Sequence, residues 1–246
     1  MLHFFRQIRQ RFLTDNKFSK YLLYAIGETL LVVMGILIAL QVDNWNTSRQ
    51  EEKLEAKILD EIRSNLQTGL SALELSFRLD SLSISSGVII LEHLENKLPF
   101  HDSLALHFAR FPNVGYAGIP SSGYDAIKSL GLTYLSNDSI RIALSELYDS
   151  GLPYLQQTYQ LDVWERRNMF YESELYEHFV IEDRFFGESE SRGRYPINYT
   201  ELLDDAKFIS MVRSLVLNRL WFKSQKELLK EKVEQLLELI NTEVDE

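Results

Sequence analysis

Apolar positions along the chain fall into three patterns. Residues Tyr24 to Val42 (YAIGETLLVVMGILIALQV) are almost continuously apolar, nineteen residues with one charge, Glu28. At about 1.5 Å per helical residue such a run covers roughly 28 Å, close to the ~30 Å hydrocarbon core of a bilayer. Beyond it the pattern becomes a stripe. Leu54, Ile58, Ile62, Leu66, Leu70, Leu73 and Phe77 recur at steps of four or three, the period of a helix and not of a strand. No proline occurs from Asn46 to Leu98, so the spacing predicts one long helix, or a broken pair, ending before Pro99. Ser48 with Glu51 would cap a new helix; alternatively the apolar helix simply continues. Gly69, Gly87 and the stretch Ser81–Gly87 mark where a kink or turn would fall. The third pattern closes the chain. Phe208, Val212, Leu215, Arg219, Phe222, Lys226, Leu229, Val233, Leu236 and Ile240 alternate steps of four and three, a heptad seam on a helix predicted from about Glu201 to Val244. Arg219 and Lys226 interrupt it. The seam suits another subunit or the long helix after the apolar run, and the second is preferred because that partner is already present.

Between these long elements the signals are shorter. Residues 96–122 read as loop-rich, with Pro99, Pro112, Gly115, Gly118 and Pro120 around a short apolar piece, Leu104–Phe111. Ser122 with Asp125 resembles a capping box, and Gly131 suits the residue after a helix C-terminus. Ser136 or Asn137 can cap the next helix, which is expected to stop at Gly151. Pro153 sits well at the start of another, aromatic-rich helix. Glu182–Tyr199 is polar and bears glycine and proline, so it reads as a loop.

Charge divides the chain. The net charge is −10; the first twenty residues carry +4, residues 21–45 carry −2, and the remainder carries −12. An acidic portion of this size argues against nucleic-acid binding, which needs a basic face, and against lying flat on an anionic membrane. The 201 residues after the first 45 suffice for one domain with a real core. The absence of cysteine excludes disulfides, thiolate metal sites and cysteine nucleophiles.

The apolar run reads as an uncleaved signal anchor. Its basic head is too long for a cleaved signal, and Leu40–Trp45 after it has no A-x-A pattern. Five basic residues precede the span and four follow closely (Arg49, Lys53, Lys57, Arg63), which favours a cytoplasmic N-terminus by a small margin. In the head, Phe4, Phe5, Ile8, Phe12 and Leu13 share a helical face that Arg6 and Arg9 largely avoid, as in an interfacial amphipathic helix; a plain basic flank is the other reading. Arg6, Arg9, Lys20, Tyr21 and Trp45 are the expected interfacial anchors. Within the span, Gly35 and Ala39 form a small-xxx-small pair that admits another helix, with Gly27 roughly on that face. Glu28 lies about one turn inside the boundary, as an inter-helix hydrogen bond, a proton site, or a carboxyl that snorkels out.

No catalytic constellation emerges. The five histidines show no HExxH spacing, and Glu174 with His178 supplies two ligands at most, so a surface ion pair is the expected reading. Gly118–Gly123 has P-loop glycine spacing but lacks the following Lys-Ser/Thr. The carboxylates Glu172, Glu174, Glu177, Glu182 and Asp183 are spaced as on a solvated helix face. No metal or cofactor is expected.

The N-terminal block resembles the opening of a family of uncharacterised inner-membrane proteins of the Bacteroidota. The likeness rests on Phe5–Arg9, Lys20-Tyr21, Tyr24–Glu28 and Ile36–Asn46, mainly within residues 4–46, and more loosely on Ser121–Leu132 and the long last helix. It implies a single-span protein with a helical periplasmic domain and no activity to carry over. The expectation is therefore all-α: a cytoplasmic head (1–20), a transmembrane helix (21–45) and an extracytoplasmic bundle (46–246) with long first and last helices. Its expected role is non-enzymatic, an envelope interaction or scaffold protein meeting the bilayer and a protein partner or its own copy. The alternative is a periplasmic ligand-sensing bundle that signals through a partner.

Overall fold

The computed structural model describes residues 16–165, 169, 171–186 and 189–245. The chain forms two compact units, Met1–Glu55 and Ala56–Glu246. The amphipathic head with Arg6 and Arg9 lies outside the described residues. Helix α1 runs unbroken from Asn16 to Glu95. The apolar helix therefore continues, with neither a cap at Ser48 nor a turn at Ser81–Gly87.

The second unit adds α2 (Ser103–Arg110), α3 (Ser122–Leu130), α4 (Asp138–Ser145), α5 (Leu152–Thr158), α6 (Glu172–His178), β1 (Phe179–Phe186), β2 (Ser189–Pro196), α7 (Tyr199–Leu202) and α8 (Ala206–Asp245). Local chemistry sets their ends. Asn137 caps α4, its Oδ1 accepting from the Ser139 and Ile140 amides at 2.9 and 3.3 Å. Gly131 ends α3 with φ +108°, a conformation that favours glycine, and its amide donates to the Ile127 carbonyl at 2.9 Å. The α3 N-cap is Ser121 and not Ser122. The Ser121 hydroxyl donates to Asp125 at 2.7 Å, and Ser122 turns to Asn65. Asp205 caps α8, accepting from the Lys207 and Phe208 amides, both at 2.9 Å.

Three expectations change, and one unassigned piece gains an element. The chain does not stop at Gly151, which is helical at φ −64° and ψ −51°. A π-helical turn, Glu146–Gly151, carries α4 into α5. A wider turn just before Pro153 relieves the clash between its ring and the carbonyl four residues back. The short apolar piece inside the loop-rich stretch, left without an assigned element, forms α2, whose Leu104, Ala105 and Phe108 are buried. Glu182–Tyr199 is not a loop throughout, because β1 and β2 form an antiparallel hairpin from Phe179↔Pro196 to Phe186↔Ser189. The β-forming Phe179–Ile181 and Phe185-Phe186 outweigh the polar middle, and Pro196 sits at the strand end where no amide is needed. The fold is thus mostly helical with one hairpin, not all-α. Finally, the last helix starts at Ala206, after the short α7 and a turn.

Two apolar clusters form the core. The first joins Ile58, Ile62, Leu66 and Leu73 of α1 to α3, α4, α5 and the C-terminal half of α8. The second joins Ile90 and Leu94 to α2, Leu175, Phe179, Leu202 and the N-terminal half of α8. All ten seam positions of α8 are buried within the one chain. Its own long first helix supplies the partner, as the intramolecular reading expects.

Candidate functional site

Two features of the chain ask for a functional account. The first is the apolar part of α1. Its described side chains from Ala25 to Val42 are all exposed: Leu30 56%, Leu37 59%, Ile38 63%. It is long and apolar enough to cross a membrane. Among the described residues, no atom outside their own stretch of helix lies within 4 Å of where a Cβ would stand on Gly27 or Gly35, and Ala39 is exposed. Glu28 is exposed and has no partner among the described residues. Beyond the run, Trp45 is 65% exposed with the Arg49 guanidinium 5.8 Å from its ring centre, and Tyr21 is 74% exposed. The Lys20 side chain lies outside the described residues.

The second feature is a polar waist between the two apolar clusters of the folded unit. Four α1 residues at steps of four and three, Ser76, Asp80, Ser83 and Ser86, are fully buried, as are Arg219 and Lys226 on α8. They surround the segment from Phe111 to Ile119, which runs without regular structure between the helices. A buried loop leaves its amides and carbonyls without water, so side chains must satisfy them. Ser83 Oγ donates to the Phe111 carbonyl at 2.7 Å. Arg219 donates to the Pro112 carbonyl at 3.3 Å and the Asn113 carbonyl at 3.0 Å. Lys226 Nζ donates to the Gly115 carbonyl at 2.8 Å, to Ser76 Oγ at 2.5 Å and to Asp80 Oδ2. The other Asp80 oxygen accepts from the Gly115 amide at 2.9 Å. All three ammonium protons are used. Burial pulls the Lys226 ammonium below its ordinary range, and Asp80 opposes that shift. Gly115 is required here, since a Cβ would stand 2.2 Å from the Ser76 carbonyl oxygen.

Smaller charged groups are also self-contained. Tyr124 Oη and Lys128 Nζ both donate to Asp149 at 2.6 Å, and Tyr124 stacks on Tyr148 at 4.6 Å. The Lys128 ammonium is the main cause that lowers the Asp149 carboxyl, followed by Tyr124. Glu174 is buried, not on the surface, and pairs with Lys207, while His178 Nε2 lies 3.3 Å from Asp205 and 3.8 Å from Glu174. Among the described residues no group of three or more metal-type ligands occurs. A small pocket beside Lys226, lined by Tyr116, Gln156, Tyr159 and Phe222, has room for about one water.

Residues 28–220 match a family of unknown function, DUF6090. The chain belongs to DUF6090. No curated protein and no solved structure matches it. The match begins at Glu28 and takes in most of the folded unit, so the family likeness of this DUF6090 chain is not confined to the residues 4–46 that carry the sequence resemblance.

For this DUF6090 member, sequence reasoning singles out Gly27, Glu28, Gly35 and Ala39, and among the described residues none of the four has a tertiary partner. It missed the waist. The signal was present: two cations inside a heptad seam, and on α1 a stripe that turns polar at Ser76, Asp80 and Ser83 without changing period.

Proposed function

We propose that the protein is a membrane-anchored, non-enzymatic interaction or scaffold protein of the bacterial envelope, an accessory subunit or a homo-oligomer. In this reading the α1 segment of about 21–45 spans the inner membrane once. The N-terminus is cytoplasmic and the folded unit periplasmic, and the Bacteroidota resemblance supports that setting. The observation that carries the proposal is the wholly unburied apolar helix bearing Glu28 beside Gly35 and Ala39. A soluble protein seldom exposes so long an apolar surface, and a carboxyl in hydrocarbon needs a partner. The non-enzymatic part is supported by the waist, whose polar side chains are committed to one another and to the chain's own backbone.

The decisive experiment is purification from native membranes in mild detergent, with mass determination and identification of co-purifying proteins. A stable complex or oligomer supports the proposal; a clean monomer without partners refutes it. Glu28→Gln should weaken that assembly if the carboxyl bonds a partner, and unchanged assembly removes that role.

A further inference from the structure

We infer that the polar waist is a parting line: α2, α6 and α7 open together as one cap while the first-cluster end of the folded unit stays folded. The step is conformational and does not depend on the membrane reading. Apolar contact is what couples one part of a fold to another, and here it stops at the waist. Neither cluster takes a buried residue of α1 between Leu73 and Ile90, or of α8 between Leu215 and Phe222. The waist residues of α1 and α8 fill that gap, and their bonds tie residues 111–115 to the two helices. Ser86 adds a bond to α2, with His107 Nδ1 at 3.2 Å from its Oγ. Such bonds can be exchanged for bonds to water, whereas a buried leucine gains nothing from water. As the cap lifts, water reaches Ser83, Ser86 and the carbonyls of Phe111 and Pro112, groups that it solvates. The boundary therefore breaks more readily here than through either apolar cluster.

The two ends are unequal, which decides the one that opens. Among the described residues the first cluster holds twenty-two buried members and the second twelve. The first is packed by the run Asp138–Glu165, which is helical, α or π, without a break. The second is closed by α2, α6 and α7, separate pieces of eight, seven and four residues. Helices that short do not persist in water by themselves. The ion pairs across this end are exposed, Arg213 to Glu95 at 2.6 Å and Lys97 to Asp204 at 2.5 Å, and exposed pairs add little. Opening bares an aromatic face. The Phe108 and Phe179 rings stand 6.4 and 5.6 Å from the Phe208 ring, and both leave with the cap. Phe208, Val212 and Leu215 of α8 then lose their cover.

Hydrogen exchange of the full chain in mild detergent micelles, read by mass spectrometry in stepped urea below the unfolding transition, tests the parting line. Ser103–Phe111 and Glu172–Phe179 are far apart in the chain, yet they should exchange through one shared opening with the same urea dependence. That opening should lie below the one that exposes Ile140–Leu147 and Leu229–Ile240. Ile140→Val, a small loss in the first cluster, should speed exchange of the last two segments severalfold and leave the first two unchanged, because the cap opens with the first cluster still folded. Leu144→Ala repeats the comparison with a larger loss. One opening for all four segments, or equal acceleration of all four in these variants, overturns the inference. Separate openings of α2 and α6 also overturn it, because they would be frayed pieces and not one cap.

Discussion

Replacing Lys226 by Met should be among the most damaging substitutions in the folded unit. The side chain is fully buried, and Met keeps most of its volume, so the loss is electrostatic. It removes the bonds to Ser76, Asp80 and the Gly115 carbonyl, and leaves the Asp80 carboxylate with only the Gly115 amide. A buried charge stripped of its partner destabilises by about 3–5 kcal/mol. For a folded unit of this size that corresponds to a fall in Tm of roughly 6–20 °C, at about 2–4 °C per kcal/mol. Adding Asp80→Asn removes the orphaned charge and keeps an acceptor for the Gly115 amide. What then remains is the Gly115 carbonyl and the two N–H donors that the Asn amide brings, which can serve one another or the Ser76 hydroxyl, a deficit of about 1–2 kcal/mol. The double variant should therefore melt above the single one. Thermal unfolding followed by circular dichroism in detergent measures both. A double variant that melts at or below K226M would refute the reasoning, because it would show that the pair is not the source of the loss.

Three further outcomes follow from the same geometry. Gly115→Ala should destabilise by about 1–3 kcal/mol, because its Cβ meets backbone and not a flexible side chain, while Gly35→Ala should leave the melting of the folded unit unchanged; the same thermal scans compare them. Asn137→Ala should cost about 0.5–2 kcal/mol in denaturant unfolding through loss of the α4 cap, together with the 2.6 Å bond to Glu243. The lowered Asp149 carboxyl gives a contribution that is complete above its ordinary value of 3.8 and is lost as pH falls through the folded value, so Asp149→Asn should flatten the acid limb of a Tm–pH curve at low salt more than at high salt.

The long elements were legible because each has a single hydrophobic period. The α1 stripe and the α8 seam recur over many turns; burial takes in every seam position of α8 and the α1 stripe except Leu54, which is 38% exposed, with Leu70 and Phe77 partly buried. Shorter elements were harder. The hairpin was hidden because Glu182–Tyr199 carries both β-formers and turn residues, and pairing between strands is not a local property. The stop expected at Gly151 failed for a related reason: one glycine weakens a helix by about 1 kcal/mol, which packing of Leu147, Tyr148, Leu152 and Leu155 can override. The waist was legible in α8 as an anomaly, but not as a network, since its acceptors are main-chain atoms of a distant segment. Glu174 was read as surface because spacing alone cannot show that Lys207 and His178 close over it.

Glycine usage separates the two units in a way that bears on function. A helix-interior glycine is unfavourable by about 1 kcal/mol relative to alanine, so it calls for a reason. In the folded unit the reason lies inside the chain. At Gly87 a Cβ would stand 2.4 Å from a Val216 methyl, and at Gly69 one would stand 2.7 Å from Ile119. Each lets another element approach α1 closely. Gly27 and Gly35 sit in the same helix with no other element near them among the described residues. By the logic that holds at Gly69 and Gly87, we propose that an element of another molecule approaches Gly35, and the side chains beside it say what that element must tolerate: Ala39 one turn on, and Glu28 two turns back. A crosslinking scan can read this directly, because the chain has no cysteine of its own. Single cysteines placed along 28–42 should crosslink in membranes with a helical period centred on Gly35. Crosslinking without a period, or none, would mean that these glycines serve the lipid-facing helix alone.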